Sequence, residues 1–382
     1  MFMLFKTKFI PLAIALAFAG TAGAQEVIKI GHVAPVSGPS SHLGKDNENG
    51  AKMAVDELNA KGIKIGGKPV KFVLVLEDDG ADPKQGTAVA QKLVDAKVNG
   101  VIGHLNSGTS IPASKIYYDA GIPQISPATT QTKYTQQGFN TTFRVVANDA
   151  KLGGTLGQYA VSKLGGKKIA IIDDRTAYGQ GVADEFIKGA KKAGGAQIIV
   201  AKEFTTDKAT DFNAILTTIK AKNPDIVFFG GMDSVGGPLL RQMKALGIKS
   251  KFMSGDGTCT DSLPKLAGDA AADGVVTCAE AGGVTPEQQK NMDDFQARYK
   301  KKYNDNVQLY APYVYDAVMT MAAAMQQANS AEPAKYLPVL AKIKYQGVTG
   351  LISFDAKGDI KDGALTLYTY TGGKKTKTEV IK

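Results

Sequence analysis

Histidine and cysteine are scarce in this chain: His32, His42 and His104, and Cys259 and Cys278, in 382 residues. No histidine has metal-ligand spacing or falls in a recognisable triad. G-x-S-x-G, Walker A and H-E-x-x-H are all missing. The acidic run EDDGADP lacks the EF-hand register. The residues therefore give no support for an enzyme or a metal site, and they call for no cofactor. Long apolar runs are also missing after the first 24 residues, which excludes further membrane spans.

The start is different. Lys6 and Lys8 precede an apolar run, Phe9 to Ala19, and small residues lead to Ala22-Gly23-Ala24. That pattern is a cleaved secretory signal, and the run is too short for a membrane helix. No cysteine follows, which argues against a lipid anchor. The remainder, 43% hydrophobic and 21% charged over the whole chain, has the composition of a soluble globular protein. The formal charge of +10 comes from lysines scattered through segments such as KGAKKAGG, without interleaved aromatics. With export, this excludes nucleic acid as the expected partner. N-T-T at Asn140 has the form of a glycosylation acceptor but is discounted because the leader is of bacterial style. In an oxidising compartment the two cysteines favour a bridge, the alternative being two buried free thiols.

Short β-branched runs alternate with helical patterns: VIKIGHV, KFVLVLEDD, NGVIGHL, IPQISP, KKIAIIDD, AQIIVAKEF, DIVFFGG, KFMSGD and GVVTCAE read as strands. Between them lie helices such as NENGAKMAVDELNAKG, with Met53, Val55 and Leu58 on or near one face. In DPKQGTAVAQKLVDAK, Asp82 is an N-cap and Pro83 the first helical residue. Strands apolar on both sides suit parallel sheets covered on both faces. The strands fall into two sets, one ending near TTFRVVANDA and one beginning at KKIAIIDD, so two similar α/β lobes are expected.

In open α/β sheets ligands bind beyond the carboxyl ends of the strands. There the chain repeatedly places small polar residues: VSGPSSHLG, NSGTS, PATT, RTAYGQG, MDSV and DGT. Ser107 to Ser110 open a helix whose free amides favour an anion, so the stretch reads as a carboxylate cradle. Asp256, between glycines after a strand, can pair with an ammonium, or it is a solvated turn residue.

The ordered set VAPVSGP, GAKMAVDELNAKGI, EDDGADPKQ, VIGHLNSGTSIPAS, ISPATT, YGQG, FFGG, FMSGDG and FDAKGD resembles the periplasmic leucine/isoleucine/valine-binding proteins. These are substrate-binding subunits of branched-chain amino-acid ABC transporters. The resemblance covers essentially the whole chain after the leader. It implies a type I periplasmic-binding-protein fold, two doubly wound α/β lobes joined by three crossover segments. Residues 1–24 would be the signal peptide, 25–146 and 278–348 lobe 1, and 147–277 and 349–382 lobe 2. It implies a periplasmic monomer that captures an α-amino acid by lobe closure and delivers it to inner-membrane permease subunits.

Residue by residue, Ser107 matches the position that binds the ligand carboxylate. Ala128 matches one whose carbonyl takes the ammonium, Thr130 a hydroxyl bridging both groups, and Tyr178 a tyrosine closing over the ligand. Asp256 stands where an acid pairs with the ammonium. Met232 and Leu43 stand where the family often has aromatics, which predicts a flexible apolar side-chain pocket suited to a branched-chain or other aliphatic residue. Ala81 and Asn106 replace the family's first-lobe cysteines. A same-fold receptor for an amide, urea or aromatic acid is the alternative, disfavoured by the zwitterion-matching Asp256, Ser107 and Thr130. A DNA-binding regulator of this fold would need a helix-turn-helix where the leader stands. N-terminal sequencing of the exported protein should begin at or near Gln25; periplasmic material beginning at Met1 would refute the signal.

Overall fold

The computed structural model describes residues 25–381 except 284; the leader lies outside the described residues. The strands are β1 (Glu26–Ala34), β2 (Lys64–Ile65), β3 (Lys68–Asp78), β4 (Gly100–Gly103), β5 (Gln124–Ser126), β6 (Thr142–Arg144), β7 (Ile169–Asp173) and β8 (Ile199–Phe204). They continue as β9 (Ile226–Gly230), β10 (Lys251–Ser254), β11 (Val276–Glu280), β12 (Tyr345–Gln346), β13 (Leu351–Ile352), β14 (Leu365–Thr371) and β15 (Lys374–Ile381). One sheet has the order β2-β3-β1-β4-β5-β6 and a second the order β15-β14-β11-β10-β9-β7-β8. The central strands run parallel; β2, β14 and β15 join antiparallel. Strands β4, β7 and β9 are buried along their whole length, as expected when helices cover both faces.

The helices are α1 (Ser41–Ala60), α2 (Pro83–Asp95), α3 (Ser107–Asp119), α4 (Asp149–Ser162), α5 (Ala177–Gly194), α6 (Asn213–Lys222), α7 (Asp233–Ala245), α8 (Leu263–Ala267), α9 (Pro286–Tyr303), α10 (Ala311–Gln327) and α11 (Pro333–Leu340). Asp82 caps α2 as read from the sequence, accepting from the Lys84 and Gln85 amides with Pro83 in the first turn. Helix α1 begins at Ser41, earlier than its apolar periodicity suggested. That puts His42 and Leu43 on a helix instead of in a loop.

The chain passes between the sheets at residues 145–148, again just after β11 from residue 281, and at 353–364. The first two crossings are bonded together, Ala147 N–H to the Ala281 carbonyl at 2.8 Å. Two expected lobe boundaries shift. β11 stays in the second sheet through Glu280 instead of leaving it at 278, because Thr277–Glu280 pair with β14. Residues 353–359 lie against the first lobe: Phe354 packs on Phe143 with ring centroids 4.9 Å apart, and Asp359 binds Arg144. Arg144 is fully buried; its guanidinium also donates to the Thr129 and Gln131 carbonyls and the Thr135 hydroxyl.

Cys259 and Cys278 are bonded to each other, their Cα atoms 5.4 Å apart, in the core of the second lobe. The bridge spans 19 positions, a closure worth about 3 kcal/mol in the chain-entropy account. Denatured, unreduced protein should show no thiol by Ellman titration, and the Cys259→Ala, Cys278→Ala double variant should lose roughly that much stability in chemical denaturation.

Candidate functional site

The carboxyl ends of both parallel sheets face one another across the cleft. One small cavity lies there, about 10 Å³, lined by Leu105, Asn106, Ser107, Ala128, Tyr178, Met232, Asp256, Gly257 and Tyr310. Each segment arrives from a different strand end: β4 leads to Ser107, β5 to Ala128, β7 to Tyr178, β9 to Met232 and β10 to Asp256. That volume accommodates about one water, so any larger ligand enters only when the lobes part. Asn106, Tyr178 and Met232 also border an outer chamber of about 440 Å³ at the mouth of the cleft.

Asp256 is the electrostatic centre. Its carboxyl accepts from the Tyr178 hydroxyl at 2.8 Å and from the Tyr310 hydroxyl at 2.8 Å. The Tyr178 oxygen in turn accepts from the Gly257 N–H at 2.9 Å. Tyr178 belongs to the same lobe as Asp256, but Tyr310 precedes α10 of the other, so the second bond crosses the cleft. Burial pushes the Asp256 carboxyl up to about 6, against the opposing pull of the two tyrosine hydroxyls. A second bond between lobes joins His42 Nε2 to Asp233 Oδ2 at 2.9 Å, with Thr260 donating to the same oxygen. Burial lowers the basicity of His42, but the facing Asp233 carboxylate outweighs it and the net shift is upward.

The row of hydroxyls divides on inspection. Ser107 alone lines the cavity; its oxygen accepts from the Gln131 N–H at 3.4 Å. The Thr109 hydroxyl donates to the Asn106 carbonyl, and Ser110 bonds the His104 carbonyl and the Thr129 hydroxyl. These last two brace the loop, so the cradle is Ser107 and the start of α3, not the whole row. The Ser107 and Gly108 amides donate to no acceptor among the described residues, as the first turn of a helix requires.

Ser107, Ala128, Tyr178, Met232 and Asp256 thus come together. Leu43 does not: on the inward side of α1 it is fully buried in the core and does not line the cavity. Thr130 is fully buried and does not line the cavity; its hydroxyl has no hydrogen-bond partner among the described residues. Tyr310 was missed, since nothing local marks the residue before a helix as reaching another lobe. The remaining histidines are internal. His104 lies between Asp79 and Tyr117 at 2.8 and 3.1 Å, and burial draws His32 down to about 4. Among the described residues no group of three or more histidines, cysteines and carboxylates could hold a metal.

Two α/β lobes, three crossings and a polar cavity between strand ends define a type I periplasmic binding protein, a class that traps a ligand in its cleft. The family model for periplasmic binding protein matches residues 27–375, and the chain belongs to that family. It is 36% identical over 380 residues to Leu/Ile/Val-binding protein homolog 1 of Brucella abortus, covering 99% of each chain. It is 33% identical over 372 residues to the leucine-, isoleucine-, valine-, threonine- and alanine-binding protein of Pseudomonas aeruginosa, covering 97% of each. Among solved structures, the branched-chain amino acid transporter substrate binding protein LivJ of Streptococcus pneumoniae, in complex with isoleucine, superposes with a TM-score of 0.83. It shares 29% identity, and the match covers 94% of this chain and 100% of that one.

Tyr310→Phe removes the bond across the cleft and nothing else of size. A hydrogen bond to a charged group contributes roughly 1.5–3 kcal/mol. The variant should keep its melting temperature but populate an open form, read as a larger radius of gyration by small-angle scattering; an unchanged radius would refute this role for Tyr310.

Proposed function

We propose that this protein is the periplasmic substrate-binding subunit of an ABC importer, exported with cleavage of its leader, and that it captures an α-amino acid with an aliphatic side chain. One observation carries the reading: Asp256 and Ser107 come from opposite lobes to one cavity. The Ser107 hydroxyl and the free amides of α3 suit a carboxylate. The Asp256 carboxylate and the Ala128 carbonyl suit an ammonium. A zwitterion loses its water on closure and needs both. The side chain then lies against Leu105 and Met232, toward the outer chamber, where a flexible thioether adapts to branched shapes. Binding to one lobe adds contacts to the other, so the ligand stabilises the closed form by its differential affinity. The permease reads that form. Capture by a monomer, without chemistry on the ligand, is the whole task.

The pH dependence follows from Asp256. Only its ionised form pairs with an ammonium, and burial raises the free carboxyl to about 6. Affinity is therefore full above that value and declines as pH falls through it. Asp256→Asn at neutral pH should weaken leucine by about 2–5 kcal/mol, roughly 30- to several-thousand-fold, and abolish the acid limb. Ser107→Ala should cost less, because the helix amides remain. Calorimetry across leucine, isoleucine, valine and methionine tests the assignment. Undiminished binding by Asp256→Asn, or binding of charged amino acids alone, would overturn it.

A further inference from the structure

His42 and Asp233 meet across the cleft, His42 from α1 of the first lobe and Asp233 from the start of α7 of the second. Neither lines the small cavity. The Asp233 side chain is fully buried, at 0% exposure, while that of His42 keeps 26%. Asp233 Oδ2 faces His42 Nε2 at 2.9 Å and accepts from the Thr260 hydroxyl at 2.6 Å. Its Oδ1 has no hydrogen-bond partner among the described residues. Thr260 is held in turn. It follows the bridged Cys259, and its carbonyl accepts from the Tyr370 hydroxyl at 2.8 Å. The second lobe thus presents a fixed, buried carboxylate, and the first lobe answers it with an imidazole.

A buried carboxylate is stabilised most by a partner that carries charge. Histidine is the side chain whose ordinary titration lies near neutrality. The other two histidines lie inside the first lobe and cannot serve. Asp46, one turn further along α1, adds to the attraction on His42, although its carboxyl already accepts from the amides of residues 308–311. Lys45 and Asp261, beside these residues in sequence, are exposed. Arg175, Asp207 and Lys208 line the outer chamber that Ser40 and Ser234 also border, and none of them bonds His42. Burial of the ring disfavours its charge, but Asp233 outweighs burial, so the ring keeps its proton above the ordinary histidine value. When the lobes part, the imidazole returns to water and to ordinary titration. A group whose value is raised in one state stabilises that state at low pH. Closure therefore has the full bond below the ordinary histidine value and loses it as pH rises through the raised one.

We propose that His42 and Asp233 are a proton-operated latch across the cleft: a proton on the imidazole fastens the closed form, and its loss at higher pH releases it. The consequence for the ligand rests on the amino-acid reading above. Its sign is opposite to that of Asp256. Below about 6 the Asp256 carboxyl takes up a proton and the ammonium loses its partner. Above the His42 titration the latch is gone. The ligand is then held most tightly in the window between the two, and closing the cleft at neutral pH consumes a proton. A pair with a purely structural role would weaken binding alike at every pH; a latch weakens it on the alkaline side alone.

The test follows leucine binding to the full mature protein by calorimetry from about pH 5.5 to 8.5, in buffers of different ionisation heat. Wild-type affinity should fall roughly fivefold on the alkaline side, the scale of a half-exposed ion pair. Binding at about pH 7.5 should take up a fraction of a proton. Below about 6, where Asp256 must ionise to bind, it should release protons instead. His42→Gln should lose the alkaline limb and the proton uptake but keep the acid limb. Asp233→Asn should do the same, and it carries the test if His42→Gln does not fold. Equal weakening at every pH in the variants, or no proton uptake by the wild type, overturns the latch and leaves the amino-acid reading standing. Wild-type protein that binds no amino acid overturns that reading, and the latch is then read without ligand. The radius of gyration by small-angle scattering should grow from about pH 6 to 8.5 in the wild type and not in His42→Gln. A wild-type radius independent of pH overturns the latch as well.

Discussion

A guanidinium with no exposure to water holds the cleft in shape. Arg144 ends β6 and must place all its donors inside the protein, since an unpaired buried charge would cost several kcal/mol. Asp359 meets it at 2.6 Å, and the Thr129 and Gln131 carbonyls and the Thr135 hydroxyl take the rest. Asp359 also accepts from Asn148, the N-cap of α4. One side chain thus fastens the loop bearing Ala128 and Thr130, the third crossing, and the entry to the helix that carries Asp149.

The lobes meet through few polar bonds, and both that matter here involve carboxylates of the second lobe. Tyr310 reaches Asp256 and His42 reaches Asp233. Each contributes up to roughly 1.5–3 kcal/mol, which a ligand between the lobes can supplement. The cavity at the crossings, about 460 Å³ and lined by segments of all three, leaves the hinge loosely filled on one side. Loose filling there and tight contact at the strand ends suit a molecule that opens at one edge and closes at the other.

Most of the architecture was legible because it follows from local rules. Strands such as IAIID and IVFFG are apolar at every position, so they fit only a sheet covered on both faces. Asp82-Pro83 marks a helix start through backbone constraints alone. The site was legible in part. Ser107, Ala128, Tyr178, Met232 and Asp256 lie at strand ends, and a doubly wound sheet brings strand ends together whatever the side chains are. Leu43 was misplaced because its helix begins a turn earlier than its periodicity suggests, and a leucine on an inward helix face goes to the core.

The sequence by itself determined the alternation of strands and helices, the two sets of strands, and which residues stand at the ends that line the cleft. These depend on short-range steric and solvation preferences. Tertiary structure alone decided which hydroxyls stay free. Ser110 and Thr129 satisfy each other only because the first turn of α3 meets the loop after β5. It also decided that Tyr310 crosses to Asp256, that the chain stays in the second sheet to Glu280, and that the Asp149 and Thr130 side-chain oxygens are buried with no hydrogen-bond partner among the described residues. Each of these depends on what a distant segment brings within 3 Å or fails to bring, and no local pattern encodes that distance.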